Sequence, residues 1–306
     1  MSKHLLSLFD YTPETLADVL ALADTLKQRR GSEFMADTLA GKSIAMIFSK
    51  SSTRTRVSFE VAIRELGGFA MFFDKNALQL GRGEPISDTA RVLNRYVHGI
   101  VIRYHSHADV EELARYSEIP VINALTDLYH PCQIVADLQT IRERFGKLAG
   151  VRIAYFGDGA SNVARSLVLG AKLAGCHLTI ASPEPYQPPV TFLNEASDIG
   201  PGTVEVTTKT DEAARDAEVL YTDVWVSMGF EDQAQERLAI LQPYQVDARL
   251  MQMAAANAIF MHCLPAYRGK EVSAEVIDGP ASVIYDEAEN RLHAQKAILC
   301  HAFSRK

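Results

Sequence analysis

Residues 43–66 read "SIAMIFSKSSTRTRVSFEVAIREL" and place a polar run between two apolar segments. The stretch 44–48 has the composition of a buried strand, and 57–66 has the pattern of a helix. Between them, residues 51–56 ("SSTRTR") supply four hydroxyls and two guanidinium groups. The stretch therefore predicts a strand, a polar loop and a helix, which is the repeating unit of a parallel α/β sheet.

Strand-like runs of similar composition recur after this stretch. Before residue 130 they occupy 69–73, 99–102 and 120–123, and after residue 150 they occupy 151–156, 177–181, 203–206, 218–222 and 258–261. A helical stretch capped by Thr12 precedes the first run, and further helical stretches separate the runs. The longest of these begins at Pro131 and runs to about Phe145. This alternation predicts an α/β fold with two domains, each a parallel β-sheet flanked by helices.

Length, charge and cysteine spacing limit the possible functions. The chain has 306 residues, of which 47% are hydrophobic, and 31 Lys and Arg against 38 Asp and Glu give a net charge of −7. This balance predicts small-molecule partners rather than nucleic acid. The N-terminus has no signal-peptide core and no segment has the length of an apolar membrane span, so we expect a cytoplasmic protein without a membrane partner. Four cysteines without a CxxC pair predict reduced thiols.

Polar clusters follow the predicted strands, at the edge where parallel sheets bind their ligands. In the first half these are "SSTRTR", Arg103 and "HPCQ" (130–133). In the second half they are "GDGASN" (157–162), Asp223 with "VWVSMG" (224–229), and "HCLP" (262–265). A helix start with added hydroxyls and guanidinium groups matches phosphate oxygens, so "SSTRTR" predicts a phosphate-binding loop. For this hexapeptide alone, an N-cap followed by surface arginines is the alternative.

Four motifs, in order along the chain, resemble the aspartate/ornithine carbamoyltransferase family: "SSTRTRVSFE" (51–60), "HPCQ", "DVWVSMG" (223–229) and "HCLP". The resemblance extends over essentially the whole chain and is to the members that act on ornithine. It implies transfer of the carbamoyl group from carbamoyl phosphate to the δ-amine of L-ornithine, which gives L-citrulline and phosphate in arginine metabolism. It also implies no cofactor, no metal, and a homotrimer whose active sites are shared between subunits.

The resemblance implies that the two substrates bind to different domains. It implies a carbamoyl-phosphate-binding domain over 1–135, a connecting helix over 136–149 and an ornithine-binding domain over 150–286. It also implies that the C-terminal helix 287–306 returns to the first domain.

The resemblance also implies roles for single residues. The residues implied at carbamoyl phosphate are Ser52, Thr53, Arg54, Thr55, Gln79, Arg103, His130, Gln133, Leu264 and Arg291. Among them the first four would hold the phosphate, and Gln79 would come from a neighbouring subunit. The residues implied at ornithine are Asn162, Asp223, Ser227, Met228 and Cys263. The residues implied in catalysis are Arg54, Arg103, His130, Cys263 and Arg291.

The reaction gives these roles a chemical reason. The δ-amine must lose a proton and attack the carbonyl carbon, and the tetrahedral intermediate then expels phosphate. Arg103, His130, Thr55 and Arg291 are donors suited to the oxygen that gains charge in this step. No side chain is an obvious strong base. The departing phosphate could accept the proton, and Cys263 could favour the neutral amine only if its thiolate were populated.

Other interpretations remain open at this point. "GDGASN" partly matches the G-x-G-x-x-G dinucleotide fingerprint, with Asn162 in place of the third glycine, so a nicotinamide dehydrogenase is a weak alternative. A non-catalytic ligand-binding relative of the family is a second alternative. A carbamoyltransferase for another amine or amino acid is a third. The stretch 76–85 contains Arg82 and no lysine, which disfavours aspartate as the acceptor. Asp223 could also be an ordinary cap, and Cys263 a packing residue.

Three adjacent Cys and His pairs invite a metal interpretation: Cys176–His177, His262–Cys263 and Cys300–His301. Neighbouring residues on a strand point to opposite faces, and no ligand spacing recurs, so we expect no metal site.

Overall fold

The computed structural model describes residues 3–32, 37–50, 52–74, 83–226 and 231–304. The chain forms two compact units. Unit 1 contains residues 1–139 and 290–306, and unit 2 contains residues 140–289. Among the described residues, no helix combines the length and the hydropathy that a membrane span needs.

Unit 1 is built on a four-stranded parallel sheet in the order β2-β1-β3-β4. Its strands are β1 (Ser43–Phe48), β2 (Phe69–Asp74), β3 (Gly99–Arg103) and β4 (Val121–Leu125). The chain leaves β1 toward β2 on one side and returns to β3 on the other, so a topological switch point lies between β1 and β3. In the register Phe48 is opposite Arg103, which sets the carboxyl ends of these two strands side by side.

Helices flank this sheet, and their ends follow from the sequence. They are α1 (Pro13–Gln28), α2 (Thr53–Glu65), α3 (Ile86–Tyr96), α4 (His107–Arg115) and the first part of α5 (Pro131–Phe145). Helix α1 begins at Pro13, and the N-cap Thr12 accepts the Thr15 N–H on its Oγ1 at 3.2 Å. Its apolar positions Leu16, Val19 and Ala23 recur at helical spacing and are buried.

Unit 2 contains a five-stranded parallel sheet in the order β7-β6-β5-β8-β9. Its strands are β5 (Arg152–Phe156), β6 (His177–Ala181), β7 (Thr203–Thr207), β8 (Val219–Thr222) and β9 (Ile259–Met261). Its helices are α6 (Asn162–Ala174), α7 (Val190–Glu195), α8 (Thr210–Ala214), α9 (Ala234–Leu241), α10 (Ala248–Met253) and α11 (Ala274–Ile277). The switch point lies between β5 and β8, and buried Phe156, Leu220 and Phe260 form part of the core.

The C-terminal helix α12 (Ile284–Ser304) belongs to unit 1 from Asn290 onward. Its buried stripe includes Ala294, Ala297 and Ile298, and Lys296 Nζ donates to Glu65 Oε2 of α2 at 2.8 Å. Each of the strand-like runs quoted above forms a strand. The prediction of two parallel-sheet domains flanked by helices, with the C-terminal helix packing back on the first, is therefore confirmed.

Candidate active site

One group of predicted site residues lies at the carboxyl ends of β1 and β3 in unit 1. The Ser49 N–H donates to the Arg103 carbonyl at 2.9 Å, so the chain leaves β1 beside the end of β3. Ser52 then caps α2 with extended backbone (φ −156°, ψ 107°), and its hydroxyl makes no capping hydrogen bond. Thr53 and Arg54 are exposed in the first turn, where amide N–H groups have no intrahelical acceptor. This helix end presents amides, hydroxyls and a guanidinium group to a ligand.

A buried arginine joins the start of α2 to α5. Arg291 Nη1 donates to Gln133 Oε1 at 2.6 Å, and Arg291 Nη2 donates to Thr55 Oγ1 at 3.3 Å. Thr55, Gln133 and Arg291 are each at most 3% exposed. Although 158 residues separate Gln133 from Arg291 in the chain, one planar guanidinium group orients both side chains. The structure therefore brings these three predicted site residues into contact with one another.

His130, directly before α5, is a buried imidazole among three arginines. Burial is the main reason that its pKa lies well below the usual range, and the charges of Arg291, Arg103 and Arg54 lower the pKa further. The imidazole is therefore neutral at physiological pH and can donate one N–H without adding a charge. The arginines then supply the positive charge, and His130 supplies a neutral donor.

A second group of predicted site residues lies at the carboxyl ends of β8 and β9 in unit 2. Asp223 follows β8 and is 6% exposed, and Cys263 follows β9 and is half-buried. Cys263 Sγ donates to Asp223 Oδ1 at 3.2 Å, and the Val224 N–H donates to the same oxygen at 2.8 Å. Burial is the main reason that the pKa of Asp223 is raised, while both hydrogen bonds oppose the shift. A buried carboxylate with few donors suits an ammonium ligand.

The turn after β9 is held by a buried network that involves two glutamates. His262 Nδ1 accepts the Leu264 N–H at 2.9 Å, so its ring proton is on Nε2, which lies 3.3 Å from Glu271 Oε1. The His262 N–H donates to Glu287 Oε2 at 2.9 Å. Leu264 has φ +58°, a conformation that costs energy for a residue with a branched side chain. The network therefore fixes the backbone of "HCLP".

A buried ion pair supports the segment after β8. Arg237 of α9 pairs with Asp158, which follows β5, and the Arg237 Nε–H donates to the Trp225 carbonyl at 2.7 Å. Trp225 in turn packs on Gly157, where an added Cβ would lie 3.2 Å from Trp225 Nε1. Asn162, the first residue of α6, is half-buried at the same sheet edge. The "GDGASN" loop thus contacts the Asp223 segment through Trp225 and Arg237.

Asp223, His262 and Cys263 each have one atom that could be a metal ligand, and these three atoms lie within 4.8 Å of one another. The sequence argument against a metal assumed that His262 and Cys263 alternate along a strand, but β9 ends at Met261. That argument is therefore wrong for this pair, because the backbone turns after the strand. The three groups make local contacts, since His262 accepts the Leu264 N–H and lies 3.3 Å from Glu271, and Cys263 donates to Asp223.

The predicted site residues thus fall into two groups. Unit 1 holds Ser52, Thr53, Arg54, Thr55, Arg103, His130, Gln133 and Arg291, and unit 2 holds Asn162, Asp223, Cys263 and Leu264. Gln79, Ser227 and Met228 lie outside the described residues.

Sequence reasoning missed three buried charged residues, Asp137, Arg237 and Glu271. Asp137 contacts the site residue Gln133, whereas Arg237 and Glu271 contact residues next to Asp223 and Cys263 in the chain. Asp137 lies one helical turn after Gln133, and this spacing was a usable signal. Arg237 and Glu271 carried no such signal, because only the folded chain brings Arg237 to Asp158 and Glu271 to His262.

Comparison with known proteins matches two parts of the chain to one family. Residues 3–143 match the family model described as "Aspartate/ornithine carbamoyltransferase, carbamoyl-P binding domain", and residues 149–302 match its "Asp/Orn binding domain". The chain is 50% identical over 299 residues to the ornithine carbamoyltransferase of Methanoculleus marisnigri, covering 98% of this chain and 96% of the relative. It is 54% identical over 301 residues to that of Methanobrevibacter smithii, covering 97% and 98%.

A solved structure gives the same result. The ornithine carbamoyltransferase of Pyrococcus furiosus superposes with a TM-score of 0.93 at 48% identity, covering 99% of this chain and 97% of that one. Because the family models and these relatives span nearly the whole chain, it belongs to the aspartate/ornithine carbamoyltransferase family.

Proposed function

We propose that this chain transfers the carbamoyl group of carbamoyl phosphate to the δ-amine of L-ornithine, giving L-citrulline and phosphate. The observation that carries the proposal is the buried Arg291 guanidinium, which bonds to Thr55 and Gln133 next to a neutral His130. The family membership and the ornithine-specific names of relatives at about half identity support the choice of substrates.

Unit 1 binds carbamoyl phosphate in this proposal. The first turn of α2, with Ser52, Thr53, Arg54 and Thr55, holds the phosphate through amide, hydroxyl and guanidinium donors. Arg103, His130 and Arg291 donate to the carbamoyl oxygen, together with Thr55. The Gln133 side chain and the Leu264 carbonyl accept from the carbamoyl NH₂ group. Gln79 adds a contact to the phosphate from a neighbouring subunit.

Unit 2 binds ornithine. Asp223, with a single buried carboxylate, pairs with the α-ammonium group, and Asn162, Ser227 and Met228 hold the rest of the amino-acid end. Cys263 lies at the side-chain amine. A lone carboxylate at this position suits an α-amino acid, whereas a diamine without an α-carboxylate would leave part of this set unused.

The chemistry needs no group beyond these residues. The neutral δ-amine attacks the carbonyl carbon and the carbonyl oxygen becomes an oxyanion. The positive charges of Arg103 and Arg291 and the neutral N–H of His130 stabilise that oxygen, and the C–O bond to phosphate then breaks with the electron pair leaving on phosphate. The attacking nitrogen loses its proton to the departing phosphate. Arg54 offsets the charge that grows on this leaving group.

We further propose that the enzyme works in the cytoplasm, in arginine metabolism, as a homotrimer with shared active sites. The outer strand β2 supports an assembly through unit 1, because it is an edge strand whose side chains are only half-buried or exposed, with Phe69 66% exposed. Tyr96 at the end of α3 is 74% exposed in the same unit. These exposed aromatic side chains are available for a subunit contact.

One assay tests the function. Citrulline formation is measured with carbamoyl phosphate and ornithine, and product formation is compared with lysine, putrescine and aspartate as acceptors at equal concentration. We expect ornithine to exceed putrescine and aspartate by at least about 100-fold in kcat/KM, since a charged group left unpaired in the site costs a few kcal/mol. Lysine differs only by one methylene, so we expect ornithine to exceed it by at least about tenfold. A higher rate with putrescine or aspartate would assign another acceptor, and no product with any amine would contradict the transferase function.

A further inference from the structure

Asp137 lies one turn after Gln133 on α5, and both side chains are buried at 0% and 1% exposure. Gln133 Nε2 donates to Asp137 Oδ1 at 2.8 Å. At its other end, Gln133 Oε1 accepts from Arg291 Nη1 at 2.6 Å. The amide of Gln133 is thus held between a carboxylate and a guanidinium group.

The two partners fix the direction of this amide. An ionised carboxylate only accepts hydrogen bonds, and a guanidinium group only donates them. If the Gln133 amide rotated by half a turn, its NH₂ group would face the Arg291 donor and its oxygen would face the Asp137 carboxylate. Both hydrogen bonds would be lost, and groups of like partial charge would face each other. Neither neighbour can change its role to accommodate the reversed amide, so a single orientation is stable.

This orientation matters for the ligand of the proposed function, on which the inference rests. The carbamoyl group differs from an acetyl group only in carrying NH₂ where the acetyl group carries CH₃. An acceptor aimed at that position gains a hydrogen bond from NH₂ and gains none from CH₃, whereas a donor there would face another donor. We propose that Asp137 is a positioning residue that fixes the Gln133 carbonyl toward the ligand and thereby makes the site select an amide over a methyl ketone.

A purely structural role does not explain why a carboxylate, rather than an apolar side chain, is buried at position 137. A carboxylate loses much hydration free energy when it is buried, and an apolar side chain of similar size fills a helix interface at lower cost. The polar chain Asp137–Gln133–Arg291–Thr55 instead connects this carboxylate to the residues proposed at the carbamoyl oxygen. The charge of Arg291 compensates the buried charge of Asp137 through the amide between them.

A matched pair of stable ligands tests the proposal by calorimetry. Phosphonoacetamide and 2-oxopropylphosphonate share the phosphonate and the carbonyl group and differ only in NH₂ against CH₃. The wild-type chain should bind the amide at least about tenfold more tightly, which corresponds to one net hydrogen bond. Asp137→Leu should lower this ratio by at least about threefold, because Arg291 alone then orients the amide, while binding of the methyl ketone changes by less than about twofold. Glu143→Gln, an exposed change on the same helix, should leave both affinities unchanged.

A charge exchange provides a second test that does not depend on how well Asp137→Leu folds. Gln133→Glu alone places two carboxylates against each other and should lose affinity for phosphonoacetamide. Adding Asp137→Asn supplies an NH₂ donor to Glu at position 133 while both carboxylate oxygens of that residue remain acceptors. The double variant should therefore recover at least about tenfold of the lost affinity.

Several results would overturn the proposal. Equal weakening of both ligands by Asp137→Leu would show a structural role alone, and a double variant no better than Gln133→Glu would show that the two side chains are not coupled. A wild-type chain that forms citrulline but binds both ligands equally would overturn this inference and leave the proposed function standing. A wild-type chain that neither forms citrulline nor binds either ligand would overturn both.

Discussion

Cys263 donates its thiol hydrogen to Oδ1 of Asp223 across 3.2 Å, so the thiol is bonded to the carboxylate that is proposed to bind the substrate ammonium. A hydrogen bond to the ionised form of a carboxyl group lowers its pKa, and burial raises it. In Asp223 burial dominates, and the pKa is raised despite the thiol and the Val224 amide. The acidity of Asp223 therefore depends partly on Cys263.

The first prediction concerns the pH dependence of this pair. Because Asp223 must be ionised to bind an ammonium group, kcat/KM for ornithine should fall as the pH drops through its raised pKa. Cys263→Ala removes one stabilising donor and should move this decline to higher pH, with a loss of about tenfold at neutral pH. Cys263→Ser retains a donor and should resemble the wild type more closely.

The measurement is the ratio of mutant to wild-type kcat/KM for ornithine from about pH 5.5 to 9. The titration of the substrate's own amine is common to all variants and cancels in this ratio. A ratio for Cys263→Ala that stays constant with pH, or that rises as the pH falls, would refute the coupling.

The second prediction concerns Arg54. Its guanidinium group is exposed at the start of α2, where it can follow a phosphate whose charge grows during the reaction. Arg54→Ala should lower turnover by at least about 100-fold, in line with the loss of a charge-assisted contact. Steady-state kinetics and circular dichroism spectra measure activity and folding separately.

Arg56 provides the control for this substitution. It lies on the same helix but donates to Glu60 at 2.8 Å and stacks on the Phe72 ring at 3.7 Å from the centroid. Arg56→Ala should therefore change turnover much less than Arg54→Ala. Near-normal turnover in a folded Arg54→Ala protein would exclude the phosphate-binding role.

The third prediction tests the shared site. Arg54→Ala and Gln79→Ala should each be strongly impaired as pure assemblies. If their chains are mixed in equal amounts, dissociated and reassembled, about a quarter of the sites in a closed ring receive both residues intact. Activity should rise toward that fraction of the wild type. If mass spectrometry shows hybrid trimers while activity stays at the parental level, Gln79 acts within its own chain.

The fourth prediction concerns the network beneath "HCLP". Glu271→Gln replaces the carboxylate that lies 3.3 Å from His262 Nε2 by an amide that can present a donor to it. The turn at Leu264 should loosen, and kcat should fall about tenfold with a smaller change in KM for carbamoyl phosphate. Glu275→Gln, on the exposed side of α11, is the control. A loss of thermal stability with an unchanged kcat would instead mean that Glu271 only supports folding.

The sequence was informative where chemistry and local pattern coincide. Arg103 and Asp223 could be placed because each stands alone at the end of an apolar strand, and parallel strands bring such ends to one edge. Arg237 and Glu271 could not be placed in this way, since each carries a charge within or beside a helix, where a charged residue is typically solvent-facing. Asp137 had only its spacing from Gln133 to indicate a role. Only the fold shows that they are buried.

The adjacent pair His262 and Cys263 shows a different limit. A period-two argument holds only while the strand continues, and here it ends one residue before His262. Leu264 then adopts a left-handed backbone conformation that no sequence rule assigns to leucine. The local geometry at this turn comes from the buried contacts of His262 with Glu271 and Glu287.

Unit 1 is discontinuous in the chain, since its sheet is complete by residue 125 while its last helix begins to contribute only at residue 290. During synthesis, a ribosome must therefore translate all of unit 2 before it adds Arg291. A nascent chain that ends earlier has neither hydrogen bond from this arginine to Thr55 or Gln133. The order of translation thus means that the contacts of Thr55 and Gln133 with Arg291 are among the last parts of the protein to be completed.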